Sequence, residues 1–171
     1  ILGGSQGAKI FAEIIPETIK KISDMGHKIK VYQQCLPNQE EKLIDFYQKN
    51  KIGNFVFNFR DDIFRIISQT DIAVSRCGAS TIGELIYTAT PFIGIPYPFA
   101  TDNHQYHNGK FCESKGFCSL LEEKNLNSRN LFNLIIKFIE NRNKLNEMSK
   151  EMLKNKKFYF KNIEEEIEQI I

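Results

Sequence analysis

An apolar segment leads through small residues into a helical pattern in Asp71-Ile72-Ala73-Val74-Ser75-Arg76-Cys77-Gly78-Ala79-Ser80-Thr81-Ile82-Gly83-Glu84. A strand, a tight loop and a helix in that order are typical of a parallel sheet with crossover helices. The backbone amides at such a helix N-terminus favour an anion, and the hydroxyls of Ser80 and Thr81 can donate to phosphate or cap the helix. Glu84 lies one turn beyond Ser80 on roughly the same helix face, so it can face whatever the loop binds. Its carboxylate suits the paired hydroxyls of a ribose. The alternative is a glutamate that only stabilises the helix dipole.

The same alternation extends along the whole chain and predicts an α/β fold, a Rossmann-like parallel sheet with helices on both faces. The predicted strands are 1–2, 28–34, 54–58, 71–75, 91–95 and 117–121. The predicted helices are 8–25, 37–49, 62–68, 80–88, 103–115, 128–141, 147–154 and 158–171. We expect Pro16 to kink or split the first helix, and the polar segment 141–146 to form a break.

The first glycine loop in chain order, Gly3-Gly4-Ser5-Gln6-Gly7, follows the first strand and opens a helix, and the loop at 76–80 is the second. Its glycines permit positive φ and close approach of a phosphate to the main chain. The loop fits neither the Walker pattern nor the Gly-x-Gly-x-x-Gly fingerprint. By itself it is equally compatible with a tight turn that binds nothing.

A third loop, from Pro96 to Gln105, leaves a strand and enters a helix. Asp102 is the predicted N-cap, which places His104 and Gln105 in the first turn at the carboxyl edge of the sheet. The Gln105 amide both donates and accepts, as sugar hydroxyls require. His104 is a candidate base, although a histidine at such a position is also an ordinary surface hydrogen-bonding residue.

The length and composition bound the class of protein. We predict one domain over 1–171, because the chain is long enough for a single two-sided core. The net charge of +2 is spread over mixed signs, so no nucleic-acid partner is predicted. The four cysteines lack zinc-ligand spacing, which favours reduced thiols in a cytosol. No apolar run approaches the roughly 20 residues of a membrane span, and the abrupt start at Ile1 suggests a fragment.

Four segments, taken in order and spacing over nearly the whole chain, resemble the C-terminal domain of the MurG family of UDP-N-acetylglucosamine:lipid I N-acetylglucosaminyltransferases. They are Gly-Gly-Ser-Gln-Gly-Ala at 3–8, Phe-Arg-Asp-Asp at 59–62, the glycine loop and helix start at 76–84, and Asp-Asn-His-Gln-Tyr-His-Asn at 102–108. The resemblance implies the C-terminal half of a GT-B glycosyltransferase, which binds the UDP-N-acetylglucosamine donor.

The resemblance also implies roles for individual residues. The diphosphate and sugar would lie near Ser5 and Gln6 with main-chain help from Gly4 and Gly7. Gly78 and the following Ala79, Ser80 and Thr81 would hold phosphate, and Glu84 would take the ribose. The N-acetylglucosamine hydroxyls would meet His104 and Gln105, and the backbone of Arg60, with Phe59 beside it, would hold uracil. Two positions depart from the family pattern. Arg60 replaces an aliphatic residue, so only its backbone role is carried over. His104 replaces a glutamine found in some members.

The implied reaction is attack of an acceptor hydroxyl on the anomeric carbon with inversion, while UDP departs. The acceptor is undecaprenyl-diphosphate-linked muramyl-pentapeptide, and the location is the cytoplasmic face of the bacterial inner membrane, reached through an N-terminal domain. We assign no catalytic residue, because the base is expected in that domain, and no metal or cofactor, because helix ends can stabilise the leaving group. Asp61 and Asp62 are interpreted as capping residues rather than magnesium ligands.

Two questions stay open on the sequence alone. The C-terminal helix, 156–171, either crosses to the other domain through Phe158, Phe160 and Ile163 or packs on its own domain. The alternatives to the implied function are another GT-B UDP-sugar transferase or epimerase, and a non-catalytic nucleotide-binding relic. The isolated chain is expected to bind the donor weakly and to turn over nothing.

Overall fold

The computed structural model describes residues 1–4 and 9–168, with side chains described as far as Lys156. The strands are β1 (Lys30–Gln34), β2 (Gly53–Phe57), β3 (Ala73–Ser75), β4 (Phe92–Gly94) and β5 (Cys118–Leu120). The helices are α1 (Lys9–Asp24), α2 (Glu40–Lys49), α3 (Ile63–Ile67), α4 (Ala79–Tyr87), α5 (His104–Ser114), α6 (Ser128–Glu140) and α7 (Arg142–Glu168). Short 3-10 turns occupy Pro37–Gln39, Thr101–Asn103 and Glu123–Asn125.

All strand pairs are parallel, and the segment Ile1–Leu2 joins two groups of strands. β1 pairs with β2, and β4 lies between β3 and β5. The joining segment makes backbone hydrogen bonds of 2.7–3.1 Å on both sides: Ile1 donates to Tyr32 and accepts from Gln34, and Leu2 donates to Val74 and accepts from Arg76. The resulting order is β2-β1-(Ile1–Leu2)-β3-β4-β5, which is the doubly wound order. The predicted two-residue strand is therefore confirmed.

Two hydrophobic cores lie on opposite faces of the sheet, which confirms the prediction of helices on both sides. Neighbouring strand residues point into different cores, as the two-residue period of a strand requires: Val74 and Ile93 face one core, whereas Ala73 and Phe92 face the other. The first core is closed by α1, α2 and α6 and the second by α3, α4 and α5, through the buried residues Phe11, Ile15, Tyr47, Leu131, Phe138, Ile67, Leu85 and Cys112.

Pro16 does not split the first helix, because α1 runs without interruption from Lys9 to Asp24, and the alternative expectation of a kink stays a prediction. A proline inside a helix costs about 3 kcal/mol or more. Phe11, Ile15 and Ile22 are each at most 1% exposed, and full burial of one such side chain contributes roughly 1.5–3 kcal/mol. Packing of the apolar face therefore outweighs the cost of the proline.

The C-terminal region also differs from its prediction, since the break over 141–146 is confined to Asn141. Asn141 ends α6, and its side chain accepts a hydrogen bond from the Lys144 amide at 3.2 Å, which caps the next helix. The helices predicted at 147–154 and 158–171 form one helix, α7, as far as Glu168, and 169–171 lie outside the described residues. Leu145 and Met148 are buried in the first core, so the helical pattern begins earlier than the polar composition indicates.

As far as Lys156, α7 packs on its own domain. Met152 is fully buried in the second core, and the Lys156 amine lies 3.7 Å from the centre of the Tyr87 ring and donates to the Tyr87 carbonyl at 2.9 Å. The side chains of Phe158, Phe160 and Ile163 lie outside the described residues, so their contact with another domain stays a prediction. Within the part of the chain that the structure describes, no helix combines the length and the apolar character needed to cross a membrane.

Candidate functional site

The first two glycine loops lie side by side at the point where the strand order reverses. The Arg76 amide donates to the Leu2 carbonyl at 3.1 Å, and a Cβ built on Gly4 would lie 4.0 Å from the Arg76 Cβ. In doubly wound sheets, ligands bind in the crevice at this switch point, outside the carboxyl ends of the strands. The topology therefore places both loops at the edge where a ligand is expected.

Gly4 has a backbone conformation that favours glycine, with φ of +78°. The side-chain oxygen of Gln34, at the end of β1, accepts a hydrogen bond from the Gly3 amide at 3.2 Å, and its Nε2 donates to the Asn58 carbonyl at 3.3 Å. Sequence reasoning missed Gln34, although a polar residue at the carboxyl end of a strand was a usable signal. Ser5, Gln6 and Gly7 lie outside the described residues, so their roles stay predictions.

The second loop presents a helix N-terminus to the crevice. Gly78 occupies the N-cap position of α4 and, being a glycine, offers no side-chain cap to the helix. The first amides of an α-helix have no partner within the helix. Ala79 and Ser80 are exposed and Thr81 is half-buried, so the amides of this turn are placed to receive an anion.

Glu84 lies on the same face of α4 as Ser80, as predicted, with the Ser80 hydroxyl 3.5 Å from its carboxylate. Burial raises the pKa of the Glu84 carboxyl above its ordinary value of 4.5, and the contact with Ser80 only partly offsets this. A half-buried carboxylate with one long hydrogen bond is short of donors. The paired hydroxyls of a ribose would supply them.

The third loop corrects the predicted N-cap, which is Asn103 rather than Asp102. Asp102 and Asn103 both adopt positive φ, of 48° and 57°, which aspartate and asparagine tolerate better than most residues. His104 opens α5, as predicted, and its Nδ1 lies 2.7 Å from the Thr101 carbonyl. Because a carbonyl can only accept, Nδ1 must carry the proton, which leaves Nε2 of the neutral ring as an acceptor.

Gln105 lies in the first turn of α5, and its side-chain oxygen is already occupied. Oε1 accepts hydrogen bonds from the Cys77 amide at 3.2 Å and from the Tyr97 amide at 3.0 Å. These two bonds use both lone pairs of the oxygen. Gln105 can therefore offer a sugar hydroxyl only its Nε2 donor, and not the donor and acceptor together as the sequence predicts.

The segment after β2 carries the residues predicted to hold a base. Phe59 is 77% exposed. The Arg60 guanidinium makes two hydrogen bonds to Asp62, of 2.7 and 2.8 Å, and lies 5.5 Å from the centre of the Phe55 ring. Asp62 occupies the N-cap position of α3 but makes no capping hydrogen bond, so its predicted capping interaction is wrong. Both of its carboxylate oxygens instead accept hydrogen bonds from Arg60, which lowers the pKa of Asp62.

Arg76 is a buried cation beneath the switch point that sequence reasoning did not assign. It is 7% exposed, its Nη2 lies 2.5 Å from Glu123 Oε2, and its Nη1 donates to the carbonyls of Ile95 and Pro96 at 3.3 Å. The guanidinium also lies 4.9 Å from the centre of the Phe11 ring. An arginine following directly on a buried strand was the available signal, since a buried charge requires partners.

The four cysteines are free thiols and all are buried. Burial raises the pKa of Cys77 to about 12 and that of Cys112 to about 11. A thiol with such a pKa is scarcely ionised near neutrality and is a poor nucleophile. Cys77 therefore contributes packing behind the second loop.

The fold and the site define a doubly wound α/β domain whose glycine loops meet at the switch point. Residues 1–167 match the family described as the glycosyltransferase family 28 C-terminal domain, and the chain belongs to that family. The fold prediction, the C-terminal half of a GT-B glycosyltransferase, is thereby confirmed.

Curated relatives and a solved structure agree with this assignment. The chain is 39% identical over 142 residues to a protein of Pelagibacter ubique, covering 83% of this chain and 40% of the relative. It is 38% identical over 175 residues to a protein of Rickettsia bellii, covering 100% of this chain and 49% of the relative. Both relatives are named UDP-N-acetylglucosamine--N-acetylmuramyl-(pentapeptide) pyrophosphoryl-undecaprenol N-acetylglucosamine transferase.

The crystal structure of Acinetobacter baumannii MurG superimposes with a TM-score of 0.78 at 27% identity, covering 88% of this chain and 44% of that one. The chain thus spans less than half the length of these proteins.

Proposed function

We propose that this chain is the donor-binding domain of an inverting hexosyltransferase. The enzyme would move N-acetylglucosamine from UDP-N-acetylglucosamine to undecaprenyl-diphosphate-linked muramyl-pentapeptide, which converts lipid I to lipid II in peptidoglycan synthesis. The observation that carries the proposal is the family match over 1–167, in a chain whose Gly4 and Gly78 loops meet at the switch point.

The donor would lie across the carboxyl edge of the sheet. Its diphosphate would meet the first turn of α4 and the loop that begins at Gly4, because helix N-termini and glycine loops favour phosphate. The ribose hydroxyls would donate to Glu84, and the uracil would reach the backbone at Arg60. The sugar would meet His104 Nε2 as an acceptor and Gln105 Nε2 as a donor.

In the proposed reaction, an acceptor hydroxyl oxygen forms a bond to the anomeric carbon from the opposite face. The bond between that carbon and the phosphate oxygen breaks, and its electron pair leaves with UDP. The amides of α4 would stabilise the growing charge, so no metal or cofactor is assigned to the chemistry. The hydroxyl proton would pass to a base on an N-terminal domain. We also propose that this N-terminal domain binds the acceptor. It would hold the enzyme peripherally on the cytoplasmic face of the inner membrane. The activity would thus serve cell-wall biogenesis, cell shape and cell division.

Calorimetric titration of the 171-residue chain with UDP, UDP-N-acetylglucosamine and NAD tests the proposal. We expect binding of the two uridine ligands, no binding of NAD, and no transferase turnover by the chain alone. Binding of none of the three ligands would favour a non-catalytic relic, and preference for NAD would refute the sugar-nucleotide proposal. UDP binding without lipid I activity in the enzyme containing this domain would favour another UDP-sugar transferase or an epimerase.

Glu84→Gln tests the ribose subsite. Ribose hydroxyls donate to the ionised carboxylate, so UDP affinity of the parent chain should fall as pH is lowered through the raised Glu84 pKa. The variant should bind UDP about tenfold more weakly at neutral pH, which corresponds to ~1.4 kcal/mol, and should lack this pH dependence. Comparing both chains at each pH removes the titration of UDP itself, and Glu41→Gln, at an exposed position of α2, is the control. Equal pH profiles for the two chains would exclude Glu84 from the subsite.

A further inference from the structure

Two side chains of α5 bind the backbone of a single residue in the second glycine loop. Asn108 Nδ2 donates to the Cys77 carbonyl at 3.1 Å, and Gln105 Oε1 accepts from the Cys77 amide at 3.2 Å. The two residues are three apart on the helix, so they lie on one face. The Cys77 backbone, fully buried, is thereby paired on both its donor and its acceptor.

α5 also approaches this loop more closely than a side chain would allow. A Cβ built on Gly109 would lie 2.4 Å from Leu120 Cδ1 and 3.1 Å from Cys77 Sγ. Both distances are shorter than ordinary van der Waals contact. Gly109 therefore lets the helix approach Cys77, where the amide of the adjacent Asn108 reaches the carbonyl.

The position of Cys77 gives these contacts their consequence. Cys77 directly precedes Gly78, the N-cap residue of α4, and a glycine has no side chain with which to cap the helix. The direction of the amides at the start of α4 therefore depends on how the preceding peptide is held. Asn108 holds that peptide from a helix 31 residues away in sequence.

We infer that Asn108 is a positioning residue for the diphosphate subsite. It binds the Cys77 carbonyl, not the nucleotide, and so keeps the first amides of α4 aimed at the crevice. A preorganised set of donors binds an anion without first being ordered, whereas a loop freed at Cys77 must lose that freedom on binding. The inference rests on the proposed function, because it requires a diphosphate at α4.

The test compares UDP with uridine, which lacks the diphosphate, on Asn108→Ala and on the parent 171-residue chain. Loss of the Asn108 bond should weaken UDP binding about tenfold in calorimetry. Uridine binding, followed by nuclear magnetic resonance titration, should change by less than about twofold, because its base and ribose subsites do not contact Asn108. The control is Asn50→Ala, which also removes an asparagine hydrogen bond to a backbone carbonyl, that of Phe46 at 2.8 Å, but at the end of α2. It should lower Tm as Asn108→Ala does and leave UDP binding unchanged.

Each other outcome counts against the inference. UDP affinity within twofold of the parent in Asn108→Ala overturns it, and so does an equal loss for UDP and uridine, which would indicate general damage. If Asn108→Ala does not fold, Asn108→Leu keeps a similar side-chain shape, adds no charge and removes the donor, and the same selective loss for UDP is required of it. Failure of the parent chain to bind UDP would instead refute the proposed function and, with it, this role.

Discussion

The β3-β4-β5 half of the sheet and the β1-β2 half hold their carboxyl-end loops in different ways. In the first half, Arg76 is buried and binds Glu123, which lies 47 residues later in the sequence. In the second half, Arg60 is exposed and binds Asp62, two residues away. Buried long-range pairs fix separate elements relative to each other, whereas an exposed local pair orders only its own turn. The half assigned to phosphate and sugar is therefore preorganised, and the half assigned to the base is open.

The largest expected effect comes from removing the partner of the buried cation. Glu123→Ala leaves Arg76 without its carboxylate in a site where that arginine is 7% exposed. We expect the free energy of unfolding to fall by about 3 kcal/mol, measured by urea denaturation. Asp62→Ala, in the other half, should cause no measurable loss because that pair is exposed. Equal effects of the two substitutions would abolish the contrast between the halves.

A smaller effect is expected from filling a close contact in β4. A Cβ at Gly94 would lie 2.9 Å from Cys77 Sγ and 3.3 Å from Phe92 Cε2, so Gly94→Ala should destabilise the chain by about 2 kcal/mol. Gly53→Ala in β2 is the control, since its Cβ would meet only ordinary contacts of 3.7 Å or more. In the double variant Gly94→Ala with Cys77→Ala, removal of the sulfur should relieve the clash, and denaturation should report a favourable coupling. Simple additivity would show that Cys77 is not the obstacle.

The smallest effect is expected at the base side. Arg60→Ala should leave UDP affinity within about twofold, because the guanidinium is engaged with Asp62 and Phe55 and only the backbone is assigned to uracil. Calorimetry on both chains measures this directly. A tenfold loss of UDP affinity would instead indicate that the guanidinium contacts the nucleotide directly. The contrast in preorganisation between the two halves would then be wrong.

Local patterns were sufficient to predict the strands, and the helices as far as α6, in their order along the chain. Apolar runs followed by small residues located each strand and loop, and the spacing of Ser80 and Glu84 predicted their common face. The errors arose where competing local interactions had to be weighed. Two successive left-handed residues moved the N-cap from Asp102 to Asn103, and core packing kept α1 intact across Pro16.

The partners of the side chains that hold the loops could not be found from local pattern. Gln34, Arg76 and Asn108 act on backbone groups that lie 19–31 residues away, and nothing near them in sequence marks those partners. Such contacts exist only once the sheet brings the carboxyl ends of its strands together. The loops at the sheet edge are thus easier to predict from sequence than the contacts that hold them in place.

α7 has a consequence for how the domain unfolds. Its early turns bury Leu145 and Met148 in the first core, and one turn later Met152 is buried in the second. A continuous helix cannot leave one core while remaining seated in the other without breaking its own hydrogen bonds. We therefore expect the release of α7 to expose part of both cores at once.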